Sequence, residues 1–252
     1  FDINPYSYAL NTSRVLDPHT YYVANYAPFN IFNELDNNFI NLNVLDAKFQ
    51  FELKYKPIAG LELAALGAFK YAATSQEHNV TENSNQAMTY RAMSNAIIRN
   101  SNRYLYRDPE HPYDLPMSVL PIGGIYHKNE NRMSNYDFRA TATYTRTFAQ
   151  KHTINLFGGA EMTDLLRTRT GFEGWGMQYN SGEVPFYIYQ YLKKGIEDSK
   201  NYYSLTNTNW RSVAFYTNMS YSYRGRYVFN GTYRYEGSNQ MGRDAKARWM
   251  PT

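Results

Sequence analysis

From residue 47 to residue 55 the chain alternates without a slip. Ala47, Phe49, Phe51, Leu53 and Tyr55 occupy the odd positions, and Lys48, Gln50, Glu52 and Lys54 the even ones. Side chains on a β-strand point to opposite faces with a period of two, so this stretch predicts a strand with one apolar and one polar face. The turn chemistry of 57–60 (Pro-Ile-Ala-Gly) ends it, and a second strand follows from about 61 to 71. The pattern returns at Tyr136, Phe138, Ala140, Ala142 and Tyr144, then at Ile154, Leu156, Gly158, Ala160 and Met162. A third pair carries Val213, Phe215, Thr217, Met219 and Tyr221, then Tyr227, Phe229, Gly231, Tyr233 and Tyr235.

Three hairpins result, at about 39–71, 136–163 and 211–237, each closed by a tight turn. Between and before them lie long stretches rich in Asn, Ser, Tyr and Pro, at about 1–38, 72–135 and 166–209. Strictly alternating short turns and long loops put every turn at one end of an antiparallel sheet and every loop at the other. Transmembrane β-barrels have this asymmetry, with short periplasmic turns and long extracellular loops. Alternation alone does not separate a lipid-facing face from the core of a soluble sandwich. Two details favour the barrel. Aromatics stand at both ends of the apolar faces (Tyr136 with Tyr144, Tyr227 with Tyr235), and small residues lie between them. The expected fold is therefore all-β, a segment of a large antiparallel transmembrane β-barrel. Six strands do not close a barrel, and a wall of about 22 strands needs roughly 240 residues for its strands alone.

Composition sharpens this. Tyr occurs 26 times in 252 residues, beside 14 Phe and 3 Trp, and a ring with a polar tip suits half-wet surfaces. With no Cys there is neither disulfide framework nor thiolate metal site, and a net charge of +4 demands no nucleic-acid partner. The longest apolar run, about 63–69, is far short of a membrane-spanning helix. The five His, at 19, 78, 111, 127 and 152, show no zincin spacing, so neither a metal nor a cofactor is expected. No nucleophile-elbow, P-loop or dinucleotide-glycine pattern occurs, and no enzyme is expected. A glycosidase needs two converging carboxylates; Glu110 with Asp114, and Glu161 with Asp164, are the pairs spacing offers. Sequons at Asn11, Asn79, Asn218 and Asn230 read as coincidence, and Arg243, Lys246 and Arg248 as a solvated cluster. Loop aromatics are the candidate ligand contacts: Trp175 above all, then Tyr113, Tyr179, Tyr187 and Tyr189, with Tyr104, Tyr106 and Tyr191 as further members. For any one of them, packing of loop on loop is the competing expectation.

Residue 1 is Phe, and both ends read as cuts within a longer polypeptide. The stretch 223–239 (Tyr-Arg-Gly-Arg-Tyr-Val-Phe-Asn-Gly-Thr-Tyr-Arg-Tyr-Glu-Gly-Ser-Asn) resembles the late-barrel signature of SusC/RagA-type TonB-dependent outer-membrane transporters. There a strand ends in an Arg-x-Asp-Gly-Ser-type turn followed by an Arg-Trp-x-x-Pro-Ser-like run. The matching positions are Arg234, Glu236, Gly237 and Ser238, then Arg248, Trp249, Pro251 and Thr252, with Glu for Asp and Thr for Ser. Asn4-Pro5, 30–36 (Asn-Ile-Phe-Asn-Glu-Leu-Asp), 54–61 (Lys-Tyr-Lys-Pro-Ile-Ala-Gly-Leu) and His152 through Glu161 are similar to upstream segments of that family.

The resemblance implies an importer of glycans or peptides, resident in the outer membrane. It implies a SusD-like surface lipoprotein as partner and energy from TonB, with the plug domain and TonB box lying outside this sequence. The competing functions are a soluble Tyr-rich β-sandwich that binds carbohydrate, and a β-sandwich enzyme with loop carboxylates.

Overall fold

The structure is a computed structural model that describes residue 10, residues 22–241 and residues 248–251. Strand accounts for 61% of it and helix for 15%, which makes the chain all-β. Strands β1 (Tyr22–Ala24) and β2 (Ala27–Phe29) form a small hairpin, followed by helix α1 (Ile31–Asn37). Two long strands come next, β3 (Asn38–Ile58) and β4 (Leu61–Val80), then the short helices α2 (Asn85–Arg91) and α3 (Ala96–Ser101). A second long pair, β5 (Gly124–Phe148) and β6 (His152–Gln178), leads through a 3-10 turn (Tyr179–Ser181) to β7 (Val184–Pro185) and α4 (Tyr189–Glu197). Strands β8 (Tyr203–Tyr223), β9 (Tyr227–Ser238) and β10 (Trp249–Pro251) complete the order. The main sheet runs β10-β9-β8-β6-β5-β4-β3, with β7 beside β6, and it does not close among the described residues. No described helix is long and apolar enough to cross a membrane.

The strands outrun the alternation that announced them. β4 continues to Val80, β5 begins at Gly124, and β6 runs on to Gln178. The loops expected at about 72–135 and 166–209 therefore shrink to 81–123 and 179–202, and both carry helices. Alternation fades where neither face needs to be uniformly apolar, while backbone pairing goes on.

The chain divides into two compact units. A wall unit comprises residues 44–74, 131–168 and 206–252, and a loop unit residues 1–43, 75–130 and 169–205.

In the wall unit the turns are short and left-handed. Ala149 and Gln150 (φ 48° and 54°) are the central residues of the turn from β5 to β6, and Arg224 and Gly225 (φ 49° and 67°) of the turn from β8 to β9, the paired positive φ of a type I′ turn. Gly60 takes φ 88° between β3 and β4. A Cβ there would lie 2.3 Å from the Thr145 carbonyl oxygen, so the residue must be Gly. The register of β8 on β9 pairs Phe215 with Tyr235, Met219 with Gly231 and Tyr221 with Phe229, all on the apolar face. That face has no protein cover among the described residues. Phe49 and Phe51 are 69% and 70% exposed, and Leu53, Tyr136, Phe138, Met162, Phe215, Tyr227, Phe229 and Tyr233 are exposed too. A sandwich would bury one face of each sheet under a second one. The other described sheet is the two-stranded β1–β2 of the loop unit, so the sandwich expectation is corrected.

The opposite face of the wall is polar and ion-paired. Arg234 reaches Glu161 and Glu236, each at 2.7 Å, and Arg139 lies 3.5 Å from Glu161. Thr163 donates to Asp137 at 2.8 Å. Behind β9 the short strand β10 pairs Trp249 with Gly237, and the Trp249 ring stacks on Tyr235 at 5.1 Å.

The loop unit does have a core: Val80, Ala87, Leu120, Ile125 and Ile188, with Tyr90, Trp175 and Tyr191 packed against it. Its many Asn residues supply the hydrogen bonds that irregular backbone lacks. The Asn85 amide reaches the carbonyls of Ala24, Ala27 and Pro28 at 2.9–3.1 Å, holding the β1–β2 hairpin. Asn102 does the same for Thr89 and Ala92, both at 2.9 Å. Arg91 donates to the carbonyls of Leu120, Glu82 and Gly123. Side chains of Asn30, Ser84 and Asn95 cap α1, α2 and α3.

Candidate functional site

Within the loop unit, α4 and the start of β8 wall a cavity of about 960 Å³. It is lined by Tyr90, Trp175, Tyr191, Tyr202 and Tyr203, by the apolar Val119, Leu192, Ile196 and Leu205, and by Glu173, Lys194, Asp198, Lys200, Asn201 and Ser204. The size matches that of small-ligand sites, and the mix of aromatic wall and few polar groups is their usual make-up.

Local sequence sets the wall. In 171–176 (Gly-Phe-Glu-Gly-Trp-Gly) alternation points Glu173 and Trp175 to one side of β6. The Trp175 indole N–H donates to Glu173 Oε1 at 2.7 Å. Tyr191, from α4, stacks on the indole at 4.8 Å with 17° between the planes, and Tyr90 meets it edge-on at 4.8 Å. The Glu173 N–H donates to the Tyr202 carbonyl at 2.8 Å and so fixes the far wall. Burial first, and then the nearby Glu173 carboxylate, push the Tyr191 phenol up to about 12. Burial likewise raises Tyr90.

α4 is fastened to the 105–111 segment at two points. Tyr106 donates to Glu197 at 2.5 Å, and the Lys193 ammonium sits 2.8 Å from both oxygens of Asp108 and 2.9 Å from Glu110. The ammonium and its hydrogen bonds hold Asp108 below the usual carboxylate range, and Asp108 in turn raises Lys193. Tyr106 is pushed up to about 12, by burial and by the hydrogen bond to Glu197. Asp108, Glu110 and His111 stand close enough together to ligate a metal ion. The Lys193 ammonium already occupies that role as counter-charge.

The structure sorts the predicted site residues. Trp175 lines the cavity, as does Tyr191. Tyr179 is structural: its hydroxyl donates to the Ile125 carbonyl at 2.9 Å and lies 3.2 Å from Asn79 Oδ1, and burial raises it strongly. Tyr113 and Tyr187, 99% and 87% exposed, and exposed Tyr189 lie outside the cavity lining. Tyr104 packs edge-on against Tyr90 at 5.3 Å. Glu173, Lys194, Tyr202 and Tyr203 were missed. The Tyr-Tyr doublet at the start of a strand was the one local signal for the last two.

The carboxylate pairs do not converge. Glu161 and Asp164 point to opposite faces of β6, the first tied to Arg234 and Arg139, the second to Arg211 at 3.0 Å. The histidines have separate partners: His78 with Asn38, His111 with Asp108, His127 with Asn129 and His152 with Tyr221. His19, Asn11, Arg243, Lys246 and Thr252 lie outside the described residues.

No family model matches the chain, and no curated protein matches it. Among solved structures it is similar to the RagAB peptide transporter, at TM-score 0.63 and 15% identity. The RagAB peptide importer matches at 0.62 and 15% in its closed-closed state, and at 0.60 and 14% in its open-open state. Each match covers 94% of this chain and 22% of the other, so the chain spans about a fifth of their length. At such identity the likeness establishes the fold.

Proposed function

We propose that this chain forms wall and outer loops of an outer-membrane, TonB-dependent importer of short peptides, working with a SusD-like surface lipoprotein. One observation carries the reading: among the described residues the wall unit leaves an apolar, aromatic-bordered face without protein cover. Exposed apolar patches of this extent signal an interaction surface, and alternation with a polar, ion-paired opposite face fits lipid outside and water inside. From Tyr136 to Tyr144, and from Tyr227 to Tyr235, is eight positions, or about 27 Å of strand, enough for a tilted crossing. The peptide substrate is taken from the RagAB likeness, and the lipoprotein partner from the family resemblance of the sequence. The loop cavity, which bears both signs of charge beside aromatic rings, suits peptides better than neutral glycans. The role is binding and passage rather than catalysis, since the wall carboxylates Glu161 and Asp164 are held by guanidinium groups.

Cell fractionation of the full-length protein tests the reading. The pair Phe49→Asp and Phe51→Asp should remove it from the outer-membrane fraction, whereas Lys48→Ala on the other face should not. Equal tolerance at both faces overturns the membrane assignment. Uptake of a labelled peptide that persists after TonB depletion overturns the energy coupling.

A further inference from the structure

The cavity holds an acid that neither a lysine nor an arginine pairs among the described residues. Glu173 lies at its aromatic end with its side chain 37% exposed. Trp175 N–H donates to one oxygen, and Tyr191 and Tyr90 bear on the same carboxylate. Among the described residues its ion-pair partner is the His127 ring, an imidazole 3.8 Å away rather than an ammonium or a guanidinium. Three other acids of the loop unit do have an ammonium. Lys193 sits on Asp108 and Glu110, and Lys128 on Glu77. The two lysines that line the cavity, Lys194 and Lys200, are both drawn to Asp198, at 3.1 and 3.6 Å, and neither pairs with Glu173 among the described residues.

A carboxylate bordered by Trp and Tyr rings, in a partly enclosed space, is what a cation binds. The charge attracts it, and the negative ring faces add cation–π attraction at little desolvation cost. We infer that this cavity takes a cationic group of the ligand, a protonated amine or a guanidinium, with Glu173 as its counter-charge. The inference rests on the importer reading only for the ligand being a peptide. In a peptide two sources supply the group: the free N-terminus, or a Lys or Arg side chain.

The test uses the full-length protein purified in detergent with its lipoprotein partner, and calorimetry with three probes. These are trialanine, N-acetyl-trialanine, and N-acetyl-Ala-Lys-Ala. An amine-bearing probe should bind about tenfold more tightly than N-acetyl-trialanine, the usual worth of a charge-assisted contact. A preference for trialanine assigns the N-terminus, and a preference for N-acetyl-Ala-Lys-Ala the side chain. Glu173→Gln, which keeps an oxygen for the Trp175 N–H, should abolish the preference and leave the near-ultraviolet circular dichroism of the stacked rings unchanged. Equal affinity of the wild type for all three probes, or no binding of any, overturns the inference; both need no variant to fold. So does a preference that survives in Glu173→Gln. Fractionation reports on the importer reading separately: an outer-membrane protein without amine preference loses this inference alone, and an amine-binding protein outside that membrane loses only the importer reading.

Discussion

The ring of Trp249 lies where a side chain at Gly237 would begin. A Cβ built at Gly237 would stand 2.7 Å from the indole, while the same ring stacks on Tyr235 at 5.1 Å. The Gly in the Arg-x-Glu-Gly-Ser run and the Trp of the following run thus make one packing unit across β9 and β10.

Gly237→Ala should therefore destabilise this edge by about 1–3 kcal/mol, the usual cost of overpacking. Because the clash is with one ring, Trp249→Ala in the same chain should recover most of that loss. Urea unfolding of the full-length protein in micelles, run as a double-mutant cycle, measures the coupling. Additive losses would show that Trp249 is not the obstacle.

Arg234→Lys keeps the charge and loses the planar fork that reaches both Glu161 and Glu236. These side chains are partly exposed, so the expected loss is about 1 kcal/mol or less. It should shrink as salt is added. A salt-independent loss of several kcal/mol would mean the network is desolvated.

Lys193→Ala should remove one of the two ties between α4 and the 105–111 segment and leave Asp108 and Glu110 facing each other without their ammonium. Limited proteolysis should then cut within 186–200 severalfold faster, with the wall strands as protected as before. A chelator should change nothing in the wild type, because the counter-charge is covalently part of the chain.

Alkali should loosen the loop unit over a defined range. Tyr106 and Tyr191 are pushed up to about 12 from the ordinary 10.0. Below pH 10 both folded and unfolded states keep these protons, and their contribution is fully present. From 10 to about 12 the unfolded chain releases them and the folded chain does not, so stability falls as pH rises. Near-ultraviolet circular dichroism should decline through this window, and the Tyr106→Phe, Tyr191→Phe double variant should show a flatter profile.

The wall was legible because period two leaves a mark on every second residue, and because the turns carry Gly60 and Gly225. Even so, β3 held a second message: Ile40, Leu42 and Val44 are apolar on the face opposite Phe49, and all three are exposed. The short helices were missed although Ser84 and Asn95 stand as their caps, since six or seven residues give no helical periodicity to read. The cavity was largely illegible. Tyr113, Tyr187, Tyr189 and Tyr191 look alike in sequence, and only the register of α4 turns Tyr191 onto Trp175 and leaves Tyr189 exposed. Glu173 gains its meaning from lysines that went elsewhere, which no local pattern encodes.

The wall's uncovered face also sets how the protein answers to temperature. The heat-capacity increment of unfolding comes chiefly from apolar groups that leave a protein interior, typically about 12–15 cal/mol/K per residue in globular domains. Phe49, Phe51, Phe138 and Phe229 add less than core residues would, for about half or more of each is already outside the protein interior in the folded chain. The increment should come mainly from the loop unit and its small core. With less curvature, the wall's stability curve should be broad and shallow, and cold should threaten it less than it threatens a globular domain of equal length.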